Sequence, residues 1–360
     1  MSTSILRWVK DLGENDFALA GPKMARLGTL QRIGLAVPDG FAVTAETFRN
    51  FLTESHLEMQ ISAQLDLLTD PNDLVAADNV SNTIRTMIES TPINPSIASV
   101  LREAYEELCF RHSEIDMPVA VRSSATGEDA ANASFAGQYE SYLGVIGGDD
   151  VIHSIRKAWS SLFAARAITY RKWQNQHFKD TPMAVGVIRL VHARCAGVAF
   201  SAHPVTRKRD RIVVEGSWGW GEAVVQGVVQ ADHIEMDKDT GRVIEYVNAD
   251  KKIVSTFDHT ERGVIEREMP QRFRNAPCLT DAMLSELWET VRKVEKHYGQ
   301  PVDLEWVFDR HWTPGQPVSV VQTRPITTMG DETEAPAAPK WDPLNYASRY
   351  GLGIPQSTKN

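Results

Sequence analysis

The sequence is poor in cysteine and has no long apolar run. Its three cysteines, Cys109, Cys195 and Cys278, lie far apart in a chain of 360 residues, and their spacing suggests neither a zinc site nor a disulfide framework. No stretch approaches the roughly 18 consecutive apolar residues of a membrane-spanning helix. The N-terminal residues also lack the apolar segment of a signal peptide. These absences predict a cytoplasmic protein with no membrane association.

Positive charge is also scarce. The chain has 38 Lys and Arg residues against 47 Asp and Glu residues, a formal net charge of −9. Such a balance argues against a protein that binds nucleic acid or anionic membranes in bulk. It does not exclude ATP, because a local basic pocket can lie on an acidic surface. The length allows two or three packed units.

Helical and strand periodicities occupy separate stretches of the chain. Gly21 and Pro22 are typical of a helix start, and Gly34 is typical of the end of that helix. Further signals are a strand at 118–124, a long amphipathic helix at 150–175, β-rich sequence from 183, a helix at 281–298 capped by Thr280, and strands at 301–309 and 318–324. After residue 328 the sequence becomes acidic and rich in Ala and Pro, which indicates a linker.

The last two predicted strands carry the sharpest chemical signal. Residues two apart on a strand share a face, so Asp303 and Glu305 point the same way, as do Gln322 and Arg324. If the strands pair as a hairpin, one surface displays two carboxylates, an amide and a guanidinium. Oxygen ligands suit Mg²⁺, and Arg324 suits phosphate. The alternative is a solvated salt-bridge face with no ligand.

Three weaker signals also suit phosphate binding. Lys23 stands at a predicted helix start, and Arg122 ends a strand just before the small-residue loop SSATG. No Walker A motif follows this loop. The glycines of GSWGWGE (216–222) suggest a close approach of the backbone to another group. The alternatives are a surface lysine, a polar turn and a tight turn without a ligand.

Six short sequence segments, taken in their order along the chain, resemble those of a known family. In this order they resemble the N-terminal ATP-binding domain of phosphoenolpyruvate synthase, pyruvate phosphate dikinase and rifampicin phosphotransferase, over about residues 10–328. The blocks are GPKMARLG, VAVRSSATGEDAANASFAGQYESYLGV, AGVAFSAHPVT, GSWGWGEAVVQGVV, VDLEW and VVQTRP. The resemblance implies an α+β, two-lobed ATP-grasp fold with the nucleotide in the cleft between the lobes. We expect an N-terminal lobe at 1–182, a C-terminal lobe at 183–328 and a linker and tail at 329–360.

The resemblance also assigns residues to the phosphates of ATP. Lys23, Arg122 and Arg324 match basic residues of the family that bind the phosphates, and they are the expected catalytic residues. Gly137 and Ser141 match the glycine-rich segment that closes over the phosphates and the ribose. Ser141 stands where the family more often has Thr.

The resemblance also assigns residues to the metal ion and to the adenine of ATP. Glu305 and Gln322 match Mg²⁺ ligands of the family, with Asp303 beside them. The segment VIRLV matches the adenine hinge, which makes Ile188 and Leu190 candidate ATP contacts. Ile188 departs from the family, which usually has Gln there, so the hinge backbone is left to recognise the base.

Complete members of the family continue into a mobile domain whose histidine accepts the phosphoryl group. None of the ten histidines of this chain lies in a segment that resembles that carrier. His203, in SAHPVT, stands where the family often has Asp or Asn and is interpreted as part of the fold. We therefore expect a phosphohistidine carrier subunit in trans, as in the split phenylphosphate synthase of anaerobic phenol metabolism. The tail from Trp341 to Tyr350 is a candidate docking element.

The resulting hypothesis is the ATP-binding subunit of a split dikinase, a phenylphosphate synthase that forms phenylphosphate from phenol, with ATP and Mg²⁺ as cofactors and AMP and phosphate as products. Three alternatives stay open. They are the ATP-binding part of a phosphoenolpyruvate synthase-like system, part of an antibiotic phosphotransferase, and a nucleotide-sensing regulatory subunit. The presence of Lys23, Arg122, Glu305, Gln322 and Arg324 argues against loss of chemistry.

Overall fold

The structure is a computed structural model of the chain. It describes residues 5–126, 140–221, 224, 227, 229–258 and 263–326. Helices and strands both contribute heavily, so the predicted α+β class is confirmed. Among the described residues, no helix is both long and apolar enough to cross a membrane. Gly137 and the tail from Trp341 to Tyr350 lie outside the described residues.

The helices are numbered in chain order. They are α1 (Phe17–Arg32), α2 (Ala45–Glu54), α3 (Leu57–Leu67), α4 (Leu74–Ser90), α5 (Pro95–Arg111), α6 (Gly148–Ser160), α7 (Ala165–Trp173), α8 (Gln271–Arg274) and α9 (Asp281–Tyr298). The strands follow the same rule. They are β1 (Leu6–Trp8), β2 (Gly40–Val43), β3 (Val119–Ala125), β4 (Ser141–Val145), β5 (Met183–Arg189), β6 (Ala193–Phe200), β7 (Arg211–Trp218), β8 (Asp232–Asp237), β9 (Val243–Val247), β10 (Ile253–Asp258), β11 (Gly263–Glu268), β12 (Val302–Asp309) and β13 (Ser319–Pro325).

The chain divides into two compact units. The first is formed by Met1–Thr29 with Asp39–Leu190, and the second by Leu30–Pro38 with Val191–Asn360. The expected lobes at 1–182 and 183–328, and the linker after them, stay predictions.

The first unit is built on an antiparallel five-stranded sheet with the order β1-β2-β5-β3-β4. Its core contains the fully buried Trp159 of α6, which stacks on Phe51 of α2. Thr44 caps the start of helix α2, because its hydroxyl accepts a hydrogen bond from the Thr47 amide at 3.2 Å. This cap satisfies one of the amides that a helix start leaves without a partner. The expected single helix at 150–175 is wrong, because the extended backbone of Ala164 separates α6 from α7.

The second unit is built on an antiparallel six-stranded sheet with the order β13-β12-β6-β7-β8-β9. Helix α9 covers one face of this sheet, where its Leu287 and Val291 share a core with Leu304 and Trp306. The predicted bounds of α9 are confirmed. The Thr280 hydroxyl caps its start, and Gly299, at φ 66°, ends it in the left-handed conformation. Strands β10 and β11 pair separately as a hairpin.

Candidate functional site

Strands β12 and β13 form the hairpin that the sequence predicts. Asp303 lies directly opposite Arg324, and Glu305 lies directly opposite Gln322. Opposed residues of an antiparallel pair share a face, so the four side chains emerge on one side of the sheet. A β-bulge follows at once, because Trp306 is opposite Val320. The bulge inserts one residue and returns the strand to alternation with its apolar side on the core.

Hydrogen bonds within the hairpin also hold some of its four polar residues, Asp303, Glu305, Gln322 and Arg324, in place. Arg324 Nε donates to Asp303 Oδ1 at 3.2 Å, and the Thr323 hydroxyl donates to the Asp303 carbonyl at 2.9 Å. The Asp303 and Arg324 side chains are 18% and 28% exposed. Gln322 is buried, at 6% exposure. These four side chains are therefore set by β-sheet register and by an ion pair with little exposure to water.

The same sheet face continues into an apolar patch. Val307 of β12, two residues beyond Glu305, packs with Ala196 of β6, Val191 and the bulged Val321. Alternation places this patch on the face opposite α9. The hairpin thus presents hard oxygen donors and a guanidinium beside a small apolar surface. Ligand sites commonly combine these two surfaces.

The hairpin fits a magnesium ion that brings ligands with it. Glu305 and Asp303 supply carboxylate oxygens and Gln322 an amide oxygen, the donors that Mg²⁺ prefers. Among the described residues, no group of three or more His, Cys, Asp or Glu side chains could hold a metal by itself. A cation at this hairpin would therefore complete its shell with water or with phosphate oxygens, as Mg²⁺ does in nucleotide sites.

In the first unit the structure brings Arg122 and Ser141 together. They lie directly opposite each other on β3 and β4, and Gly186 of β5 lies opposite Arg122 on the other side. Lys23 reaches the same strand, because its Nζ donates to the Ser123 carbonyl at 3.2 Å. Three of the predicted phosphate-binding residues thus converge on the end of β3.

The predicted adenine hinge is less open than expected. Ile188 and Leu190 are only 2% and 5% exposed. The Arg189 amide donates to the Asp39 carbonyl at 2.8 Å, and the Leu190 amide to the Pro118 carbonyl at 3.0 Å. These two amides are therefore engaged, so base recognition by them would require replacing bonds within the protein.

The glycines of the segment GSWGWGE have packing reasons in the second unit. A β-carbon at Gly216 would lie 2.9 Å from the Trp306 ring, one at Gly219 would lie 3.1 Å from the Ser255 carbonyl carbon, and one at Gly221 would lie 3.3 Å from Ala196 Cβ. Neighbouring protein atoms account for the close approach at all three glycines, although Gly216 lies within strand β7 and not in a turn.

A cluster of titratable groups went unnoticed in the sequence. Glu215 and His233 lie opposite each other on β7 and β8 and share a short hydrogen bond through His233 Nδ1. His233 Nε2 lies 3.7 Å from Glu235, which Arg211 contacts at 2.5 Å. The sequence signal that could have revealed the cluster is Glu215, a carboxylate that interrupts an otherwise apolar strand. Sheet order alone brings the partners together.

Register connects this cluster with the hairpin. Gln322, Glu305, Val198, Glu215 and His233 form one row of directly opposed residues across five neighbouring strands. With strands about 4.8 Å apart, Glu215 lies about 10 Å from Glu305 on the same face. The missed cluster therefore belongs to the same sheet surface as the predicted metal ligands.

The charges of the cluster follow from burial and from its internal bonds. Burial raises the pKa of Glu215 to about 6. Burial also acts to lower the pKa of His233, but the hydrogen bonds and charges of Glu215 and Glu235 together outweigh it and raise that pKa. Burial lowers the pKa of His203, whose Nδ1 accepts the Val205 and Thr206 amides at 3.1 and 3.2 Å. These bonds suit a neutral imidazole that organises its own loop.

Comparison with known proteins identifies the family. The model of the pyruvate phosphate dikinase AMP/ATP-binding domain matches residues 17–342. The chain belongs to this family. It is 41% identical over 325 residues to the probable phosphoenolpyruvate synthase of Methanothermobacter thermautotrophicus, an alignment that covers 90% of this chain and 46% of the relative.

Other relatives give a consistent result. The phosphoenolpyruvate synthase of Pyrococcus furiosus is 35% identical, with 94% of this chain and 45% of the relative covered. That of Aeropyrum pernix is 32% identical, with 99% and 47% covered. The chain thus spans about half the length of these curated relatives. It is an ATP-binding domain of the phosphoenolpyruvate synthase and pyruvate phosphate dikinase family of phosphotransferases.

Proposed function

We propose that this chain binds Mg-ATP and passes a phosphoryl group to a histidine of a carrier module, as the ATP-binding part of a phosphoenolpyruvate synthase-like dikinase. The observation that carries the proposal is the hairpin pairing of Asp303 with Arg324 and of Glu305 with Gln322. It brings magnesium-type oxygen donors and a phosphate-type guanidinium onto one surface. Family membership supports the same nucleotide.

Each group of residues has a distinct role in the proposal. Glu305, Gln322 and Asp303 hold the Mg²⁺, which would neutralise phosphate charge. Lys23 and Arg122, at the end of β3, bind phosphate oxygens and stabilise the charge of the transferring group. Domain positions 1–182 and 183–328 are the proposed lobes of the ATP-grasp fold.

The names of the relatives favour the phosphoenolpyruvate synthase-like alternative over phenylphosphate synthase. The carrier histidine then lies either on a separate subunit or on a further module joined to this domain. The second arrangement would fit the relatives, which are about twice as long as this chain. Pyruvate is the proposed final acceptor. Supplying pyruvate or phenol to the assembled system, and analysing which one becomes phosphorylated, distinguishes the two interpretations.

The metal assignment is tested by nucleotide binding, which needs no carrier. Mg-ATP is titrated into the wild-type chain and into Glu305→Ala and Gln322→Ala variants, with EDTA as a metal-free reference. We expect each variant to weaken Mg-dependent binding by about tenfold or more, because each loses an oxygen donor to the cation.

The matched control is Glu245→Ala, which removes an exposed carboxylate from the strand at the far edge of the same sheet. It should bind Mg-ATP like the wild type. Wild-type affinity in both hairpin variants, with folding verified by circular dichroism, would refute the metal site. Failure of the wild-type chain to bind Mg-ATP would refute the proposed function.

A further inference from the structure

Helix α1 is interrupted at Gly21. This residue has φ 71° and ψ 160°, far from helical values, so α1 consists of two helical pieces joined by a kink. A β-carbon at Gly21 would lie 2.7 Å from the Ser124 carbonyl carbon and closer still to that residue's carbonyl oxygen and hydroxyl. Only glycine tolerates both the left-handed backbone and this approach. The obstacle is mostly backbone, which cannot rotate away.

The residues that follow the kink are tied to the same place. The Met24 amide donates to the Ser124 hydroxyl at 3.5 Å, and Lys23 Nζ donates to the Ser123 carbonyl at 3.2 Å. A β-carbon at Gly186 of β5 would lie 3.0 Å from Met24 Cγ. The start of the second helical piece is therefore pressed onto the ends of β3 and β5.

This contact places the main chain of Lys23 within reach of β3, where its ammonium bonds the Ser123 carbonyl. Ser124 follows Arg122 by two residues on β3, so both side chains emerge on one face of the sheet. The kink holds Lys23 against that same strand end. Two cations repel each other, and a lysine side chain loses rotamer entropy when it is ordered. The kink fixes the main chain of Lys23 near the strand end, and the hydrogen bond of Lys23 Nζ to the Ser123 carbonyl offsets part of these costs before any ligand arrives.

We propose that Gly21 and Ser124 are positioning residues, whose close contact holds Lys23 at the strand that carries Arg122 as a preformed phosphate-binding pair. The inference rests on the proposed function, because the ligand of the pair is the phosphate of ATP. Gly21 and Ser124 act through Lys23 and touch no phosphate themselves. Without Lys23, their effect on ATP binding should therefore disappear.

A double-mutant cycle tests this dependence. The dissociation constant of Mg-ATP is measured, by competition with a fluorescent ATP analogue so that weak binding stays measurable, for wild type, Gly21→Ala, Lys23→Ala and the double variant. Gly21→Ala should weaken binding about tenfold in the wild-type background. It should weaken binding less than about twofold when Lys23 is already Ala.

The control is Gly147→Ala in the same unit. Gly147 also has a positive φ, 95°, but nothing lies within 4 Å of the position that its β-carbon would take. This variant carries a comparable backbone strain and should keep wild-type ATP affinity. If Gly21→Ala does not fold, Ser124→Ala takes its place, with an expected loss of about threefold that also vanishes in the Lys23→Ala background.

The outcomes separate the inference from the function on which it rests. A loss that persists undiminished in the Lys23→Ala background would mean that the kink only stabilises the unit, and it would overturn the inference. Wild-type affinity in Gly21→Ala and Ser124→Ala would overturn it as well. Absence of Mg-ATP binding by the wild-type chain would refute the proposed function together with the inference.

Discussion

A buried ion pair in the second unit allows a prediction: removing its two partners one at a time should cost different amounts of stability. Asp232 of β8 and Lys251 are both 0% exposed and form a short ion pair. Asp232 also accepts the Ala249 amide at 2.9 Å, the Tyr246 hydroxyl at 3.1 Å and the Cys278 amide at 2.9 Å. Lys251 Nζ makes one further hydrogen bond, to the Ala249 carbonyl at 3.2 Å. The carboxylate is therefore far better supported than the ammonium.

The magnitudes follow from what each substitution leaves behind. Asp232→Asn leaves the Lys251 charge buried beside neutral acceptors, and such a loss typically costs about 3–5 kcal/mol. Lys251→Met leaves the Asp232 charge with three hydrogen-bond donors that continue to stabilise it, so we expect a cost below that range, about 2 kcal/mol. The double variant should be more stable than Asp232→Asn alone, because it buries no isolated charge.

The assay must report on the second unit alone, since two units need not unfold together. Hydrogen exchange of peptides from β7 and β8, measured over a urea series, gives the free energy of unfolding of that region. Equal losses in the two single variants, or a larger loss in Lys251→Met, would refute the argument that donor number decides the cost. So would a double variant less stable than Asp232→Asn.

Two further predictions concern the basic residues and the titratable pair. Under the proposed function, Lys23→Ala and Arg122→Ala should each lower phosphoryl transfer to the carrier histidine by about a hundredfold, because each would remove a cation from the transferring phosphate; rates within about threefold of wild type would make them ordinary surface charges. The raised pKa of Glu215, about 6 against the usual 4.5, stabilises the fold below pH 4.5, and that contribution of up to about 2 kcal/mol is lost as the pH rises through 6. The raised pKa of His233 acts in the same direction at higher pH. Glu215→Gln should flatten this fall in urea unfolding curves of the second unit, and an unchanged pH dependence would contradict the assignment.

Alternation and capping predicted the local elements well. The shared face of Asp303 and Glu305 indicated that the other face of β12 is buried, and the structure has that other face against α9. Thr280 and Gly299 indicated the ends of α9. Each of these signals acts within one turn or one strand, so the sequence contains the whole of the relevant interaction. The sequence did not predict the helix break at Ala164, because the apolar periodicity of the helix continues through it.

The sequence by itself determined the residue types of the candidate site and which of them share a strand face, because side-chain alternation is a property of the single strand. Only the tertiary structure decided which strands are neighbours and in what register. Glu305 meets Gln322, and Glu215 meets His233, through that register. Gly21 and Ser124 touch across about a hundred residues of chain for the same reason. Such pairings depend on packing that the whole chain must complete, and no local pattern encodes them.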